Sequence, residues 1–189
     1  MKTVRSQCSQ CRRREQHGRG LAVGVTACLL FAVGAAHSGM AQELSKESVL
    51  SLSLANKAIA AAIESCKKDG YRVSVSVVDR SGVLRAMGRA DGAGPHTVDS
   101  SRKKAYTAAS VRRPTTELAD LISKNPALQG LRDMNQEILI LGGGLPIEIG
   151  GEVVGGIGVG GAPGAHLDDA CAQSGLDAIG AAPKVTVPK

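Results

Sequence analysis

A chain of 189 residues is long enough for one domain with its own core and short for two. With one Phe, two Tyr and no Trp, that core has to be built from Ala, Val, Ile and Leu, and the aromatic platforms on which nucleic-acid bases stack are nearly absent. The net charge of +6 sits at the front: residues 1–41 hold six basic side chains and one acidic, leaving 17 against 16 for the rest, so the remainder gives no electrostatic reason to expect nucleic acid or an anionic membrane as partner.

Those first residues have the layout of a secretory signal. A basic stretch runs to Arg19, an apolar run of 16 residues spans Leu21 to Ala36, and the small-x-small pattern Gly39-Met40-Ala41 predicts cleavage after Ala41. The competing reading, a retained transmembrane anchor, needs roughly 20 apolar residues. Export to the periplasm or the medium is therefore expected, with no stable membrane anchor after cleavage. Arg12-Arg13-Arg14 suggests a twin-arginine signal, but Glu15-Gln16-His17 stands where apolar residues belong. Cys8, Cys11 and Cys28 leave with this segment. Cys66 and Cys171 remain, either as two small buried thiols on helix faces or as a disulfide.

Residues 42–51 read as a polar leader, 52–181 as the domain and 182–189 as a flexible tail. Ser53 reads as an N-cap, and Ala55, Ile59, Ala62, Ile63 and Cys66 follow at helical spacing until Gly70. Val73, Val75 and Val77 then alternate with Ser74 and Ser76, the period of a strand with one face on the core. Asp79-Arg80-Ser81-Gly82 is a turn and Val83 to Gly88 a second strand, paired with the first as an antiparallel hairpin. A loop over 89–96 leads to a helix from Thr97 to Arg112, which Pro114 ends. Thr116 to Ile122 is a short helix and Lys124 to Gly130 a surface loop. Glu137 to Leu141 is an apolar run of strand length. Leu145 to Ile149 and Glu152 to Val159 are further strands, joined by Gly150-Gly151, a two-residue turn that demands positive φ. Leu167, Ala170, Cys171, Ser174 and Ala178 mark a closing helix. This order predicts an α+β domain, an antiparallel five-stranded sheet with packed helices.

Gly156, Gly158 and Gly161 spell G-x-G-x-x-G, but a dinucleotide site needs a helix, a second parallel strand and an acidic residue beyond the motif, and only Ala162 to Lys189 follow. Glycines on a strand instead admit a close neighbour: the closing helix, another subunit or a flat ligand, with packing the favoured reading.

No nucleophile or metal motif stands out. His96 and His166, the two histidines beyond the signal, are each an exposed or capping residue or else a ligand. Asp91 is a turn-former or an acid. Arg102, Lys103 and Lys104 put three cations near the start of one helix, against its macrodipole. They form either a solvated face or a clamp for the carboxylates of a small molecule. Tyr106 and Thr107 follow with hydroxyls.

The blocks Val77-Val78-Asp79-Arg80-Ser81-Gly82-Val83-Leu84, Arg89-Ala90-Asp91-Gly92-Ala93, Arg102 to Ser110, Arg113-Pro114-Thr115, Gly142 to Ile147 and Gly155 to Gly161 together resemble the GlcG/HbpS family of heme-binding-like proteins, over roughly Leu50 to Ile179. The resemblance implies a profilin-like fold, homo-oligomers and, in some members, heme or a related tetrapyrrole bound at an exported location. On that basis Thr107 and Tyr106 on the second helix and His96 on the loop before it are candidate iron contacts, with Lys103 or Lys104 as partners for propionates. The alternative is an enzyme or binding protein for a small hydroxy or oxo carboxylic acid, with Arg102, Lys103 and Lys104 as the anion clamp and Asp91 or His96 as the acid-base group.

Overall fold

A computed structural model describes residues 45–183. The secretory signal expected over 1–41, with Cys8, Cys11 and Cys28, lies outside the described residues, as do residues 42–44 of the leader and 184–189 of the tail.

The first helix, α1 (Leu52–Lys68), starts two residues before the sequence suggests, because the Ser51 hydroxyl accepts from the Leu54 amide at 3.2 Å and caps it. Strands β1 (Ser74–Asp79) and β2 (Leu84–Arg89) form the expected hairpin, whose turn is closed by the Asp79 carboxylate accepting from the amides of Ser81 and Val83 at 2.9 and 3.0 Å. Helices α2 (His96–Val111) and α3 (Thr115–Lys124) follow, then a 3-10 helix (Pro126–Arg132) where the sequence suggests a loop. Strands β3 (Gly144–Ile149) and β4 (Glu152–Gly160) turn through Gly150 and Gly151 at φ of 62° and 81°, and α4 (Ala165–Ala178) closes the chain. Among the described residues no helix is long and apolar enough to cross a membrane.

Among the described residues the sheet has four strands, not five, in the order β2-β1-β4-β3, all antiparallel. Residues 137–141, expected to be a strand, pair with no other strand. Ile138 and Ile140 pack with Leu118 and Ile122 in a satellite core, while the Leu139 amide donates to the Thr107 hydroxyl at 2.8 Å. Their apolar alternation serves contact with α2 and α3 rather than a sheet. The outer edge of β3 is met instead by Ala182, which exchanges both backbone hydrogen bonds with Glu148 at 2.8 Å, so the tail is tied down where it begins.

Both faces of the sheet are covered. Val73, Val75, Val77, Ile157 and Val159 point into the main core with α1 and α4. Ser74 and Ser76, on the opposite face, are buried under α2 rather than open to water. Their hydroxyls pair with those of Thr97 at 2.7 Å and Ser101 at 2.8 Å. Two strand residues advance about 6.7 Å and four helix residues about 6.0 Å, so hydroxyls spaced by two on β1 meet hydroxyls spaced by four on α2.

The same match explains the glycines. A methyl on Gly156 would come within 3.0 Å of the Ala109 amide nitrogen and one on Gly158 within 2.5 Å of that of Ala105, so the bare strand is where the α2 backbone lies down. The packing partner is α2, not the closing helix. Across the sheet, Cys66 of α1 and Cys171 of α4 are joined as a disulfide with Cα atoms 5.5 Å apart, which settles the choice between thiols and a bridge.

Candidate functional site

The cation row on α2 does not form an anion clamp. Lys104 is 2% exposed, and its ammonium donates to the Val159 carbonyl at 2.9 Å and the Asp168 carboxylate at 2.8 Å. Asp168 also accepts from the Ala162 amide at 3.0 Å, while Asp169 accepts from the Gly143 amide at 2.6 Å and from the Thr116 hydroxyl. Together these bonds pin the first turn of α4 and the Gly142–Gly144 turn to α2. Burial pushes the pKa of both carboxyls up, opposed at Asp168 chiefly by Lys104 and at Asp169 by Thr116 and Gly143. Arg102 is spent on Glu137 and Asp99, and Lys103 pairs with Asp99 at 3.3 Å. The sequence displays the three cations and the local Asp99, but not Glu137 and Asp168, which lie 35 and 64 residues from their partners.

Thr107 is also withdrawn from ligand chemistry. It is fully buried, its hydroxyl donating to the Lys103 carbonyl at 2.8 Å and accepting from the Leu139 amide at 2.8 Å. His96 stands eleven residues earlier on the same helix, about 16 Å along its axis, so the two cannot face one iron. Tyr106 is half-buried, its ring laid on Gly82 of the β1–β2 turn and on the edge of the satellite core.

His96 itself is exposed at the start of α2, with no hydrogen bond or ion pair among the described residues. Its ring lies over Gly94, where a methyl would come within 2.7 Å of Cε1; the glycine makes room for the imidazole. His166 is exposed in the same posture over Gly164. No three of His, Cys, Asp and Glu among the described residues gather to hold a bare metal ion. Heme iron brings four of its own ligands and asks the protein for one or two, which an exposed imidazole supplies. By that criterion the exposed imidazoles of His96 and His166 suit heme iron, and the enclosed Thr107 hydroxyl does not.

Asp91 lies apart from α2, in a cleft of about 350 Å³ at the end of the sheet. Lys67 at the end of α1, Tyr71, Arg72 and Arg89 line it, with Ile63 as an apolar patch. These cations come from a helix end, a loop and a strand end, a scatter that no sequence motif reveals.

A four-stranded sheet covered on both faces, whose accessible histidines and open cationic cleft lie at its rim, defines an α+β domain with its reactive groups at the surface. The chain belongs to the HbpS-like family: the model for "Haem degrading protein HbpS-like" matches residues 50–177. A crystal structure of a Streptomyces reticuli HbpS double mutant is 44% identical, covers 71% of this chain and 89% of its own, and superposes with a TM-score of 0.66. The PduOC:heme complex is 29% identical, covering 71% and 98%, with a TM-score of 0.67. Protein GlcG of Escherichia coli K12 is 32% identical over 111 residues, which are 59% of this chain and 81% of GlcG.

Proposed function

We propose that this chain is an exported heme-binding protein that takes the macrocycle at its surface, with His96 as the iron ligand. The observation that carries the reading is membership of the HbpS-like family together with the likeness to PduOC, whose structure is a heme complex. On this chain His96 has an accessible, unpartnered imidazole, while Thr107 is enclosed and doubly bonded. Heme, when bound, would supply a redox-active iron, and the His96 imidazole would hold it. The Cys66–Cys171 disulfide suits an oxidising compartment and so supports export, as does the signal pattern over residues 1–41.

Assembly into homo-oligomers belongs to the same reading. β2 is an edge strand beside three exposed apolar side chains, Val83, Leu84 and Met87, which a second copy would cover. Light scattering of the purified protein tests this, and a monomer at every concentration removes it.

Hemin titration tests the binding. The expected result is a saturable Soret shift that His96→Ala abolishes or moves and Thr107→Ser leaves in place. No saturable shift, or one identical in His96→Ala, overturns the assignment. Decay of the Soret band under a reductant and oxygen extends the reading to the degradation named in the family's description.

A further inference from the structure

The cleft at the end of the sheet is lined by an excess of cations. It gathers three cations, Lys67, Arg72 and Arg89, against a single carboxylate, Asp91. Among the described residues Lys67, Arg72 and Asp91 make no ion pair and no side-chain hydrogen bond, as is also true of Lys57, Lys68, Arg85 and Lys124, but only the first three line one cleft. Cations left without partners while converging on one concavity keep their donors for something else.

Arg89 is held in place before any ligand arrives. Arg89 donates through Nε, at 3.0 Å, and through Nη2 to the carbonyl of Ala93, which fixes the guanidinium plane and leaves Nη1 unused. The Arg72 side chain lies across Gly92, its Cδ 3.0 Å from where a methyl on that glycine would stand. The loop carrying both contacts is closed by the Ala93 amide bonding the Ala90 carbonyl at 3.0 Å and anchored by the Ala90 amide on Val73 at 2.9 Å. On the other wall, the Tyr71 amide bonds the carbonyl of Cys66, the residue that the disulfide ties to α4. A backbone fixed in this way, with Arg89 already oriented, loses little freedom on binding, and only the exposed Lys67 and Arg72 side chains remain to be ordered by a ligand.

We infer that this cleft binds a small hydroxy-dicarboxylate. Three cations and one carboxylate leave a local charge of two positive units, which a dianion neutralises. Planar carboxylates match the guanidinium forks of Arg72 and Arg89, with Lys67 as a point charge. Asp91 repels a third anionic group and accepts a hydrogen bond from a ligand hydroxyl. A volume of about 350 Å³ lies at the small end of ligand pockets and does not enclose a macrocycle, so this site is separate from the heme reading and stands or falls without it.

Isothermal titration of the disulfide-bonded protein with L-malate, succinate and inorganic phosphate tests the assignment. Malate is expected to bind saturably and more tightly than succinate, which lacks the hydroxyl, with phosphate weaker than both. Arg72→Gln is expected to weaken malate about tenfold or more, as loss of a charge-assisted bond does. Asp91→Asn is expected to shrink the preference for malate over succinate. An unchanged melting temperature in Arg72→Gln shows that it folds, and hemin titration of that variant reports separately on the His96 site. No saturable malate binding, equal binding of phosphate, or an affinity unchanged in Arg72→Gln each overturns the proposal.

Discussion

Gly158 of β4 lies directly beneath Ser101 of α2, so that a methyl on the glycine would overlap the Ser101 carbonyl oxygen and come within 2.5 Å of the Ala105 amide nitrogen. Both obstacles are backbone, which cannot rotate away. Gly158→Ala is expected to lose about 3 kcal/mol or more in urea denaturation, the upper end of overpacking costs. Gly130, with nothing within 4 Å of an added methyl, is the control, and Gly130→Ala is expected to be neutral. Equal effects at the two positions would remove the close approach of α2 as the reason for the glycine.

Lys104 is a structural cation. Replacing it by Met strands the Asp168 carboxylate, of which 4% is exposed, and is expected to cost about 3–5 kcal/mol, the usual penalty for breaking a buried pair. The double change Lys104→Met with Asp168→Leu is expected to recover most of that loss. Denaturation curves of the wild type, the two single variants and the double variant close the cycle. Non-recovery would mean that Lys104 contributes through something other than the pair.

Asp169 predicts a pH dependence of definite sign. Its folded pKa is raised by burial, against Thr116, Gly143, Lys104 and His166, so the folded state holds its proton at a pH where the unfolded chain has lost it. The contribution of this group is therefore fully present below the unfolded pKa of about 3.9 and is lost as pH rises through the folded value. The melting temperature of the wild type minus that of Asp169→Asn is expected to fall as pH is raised from about 3.5 to about 6, the region of carboxylate titration. A rising difference would show that the hydrogen bonds to the ionised form outweigh burial.

The disulfide closes a loop with a sequence separation of 105. Chain-entropy arithmetic for a loop of that size gives about 4.7 kcal/mol. The Cys66→Ala, Cys171→Ala double variant is expected to be destabilised by several kcal/mol in guanidinium, and an unchanged midpoint would show that the bond constrains nothing.

Legibility in the sequence followed the range of the interactions. The β1–β2 and β3–β4 hairpins were readable because Asp79-Arg80-Ser81-Gly82 and Gly150-Gly151 carry their own turn chemistry. The β4 glycines announced a close neighbour without naming α2, since any backbone fills that space equally well. Residues 137–141 were misread because alternation records burial on one side and not whether the partner is a strand or a helix. Ser74 and Ser76 misled for the opposite reason: polar residues signal water only when no hydroxyl waits across the interface. At the candidate site Asp91 and His96 are visible as loop residues, although His96 opens α2, whereas Lys67, Arg72 and Arg89 meet only once α1 has been laid against β2.

The bond between Cys66 and Cys171 joins the first helix of the domain to the last, which makes nearly the whole fold a covalent ring. A protease that cuts any loop between them, such as the stretch around Met134, releases no fragment. The two pieces migrate as one molecule until a reductant is added. A nick of that kind leaves both halves in register to remain folded.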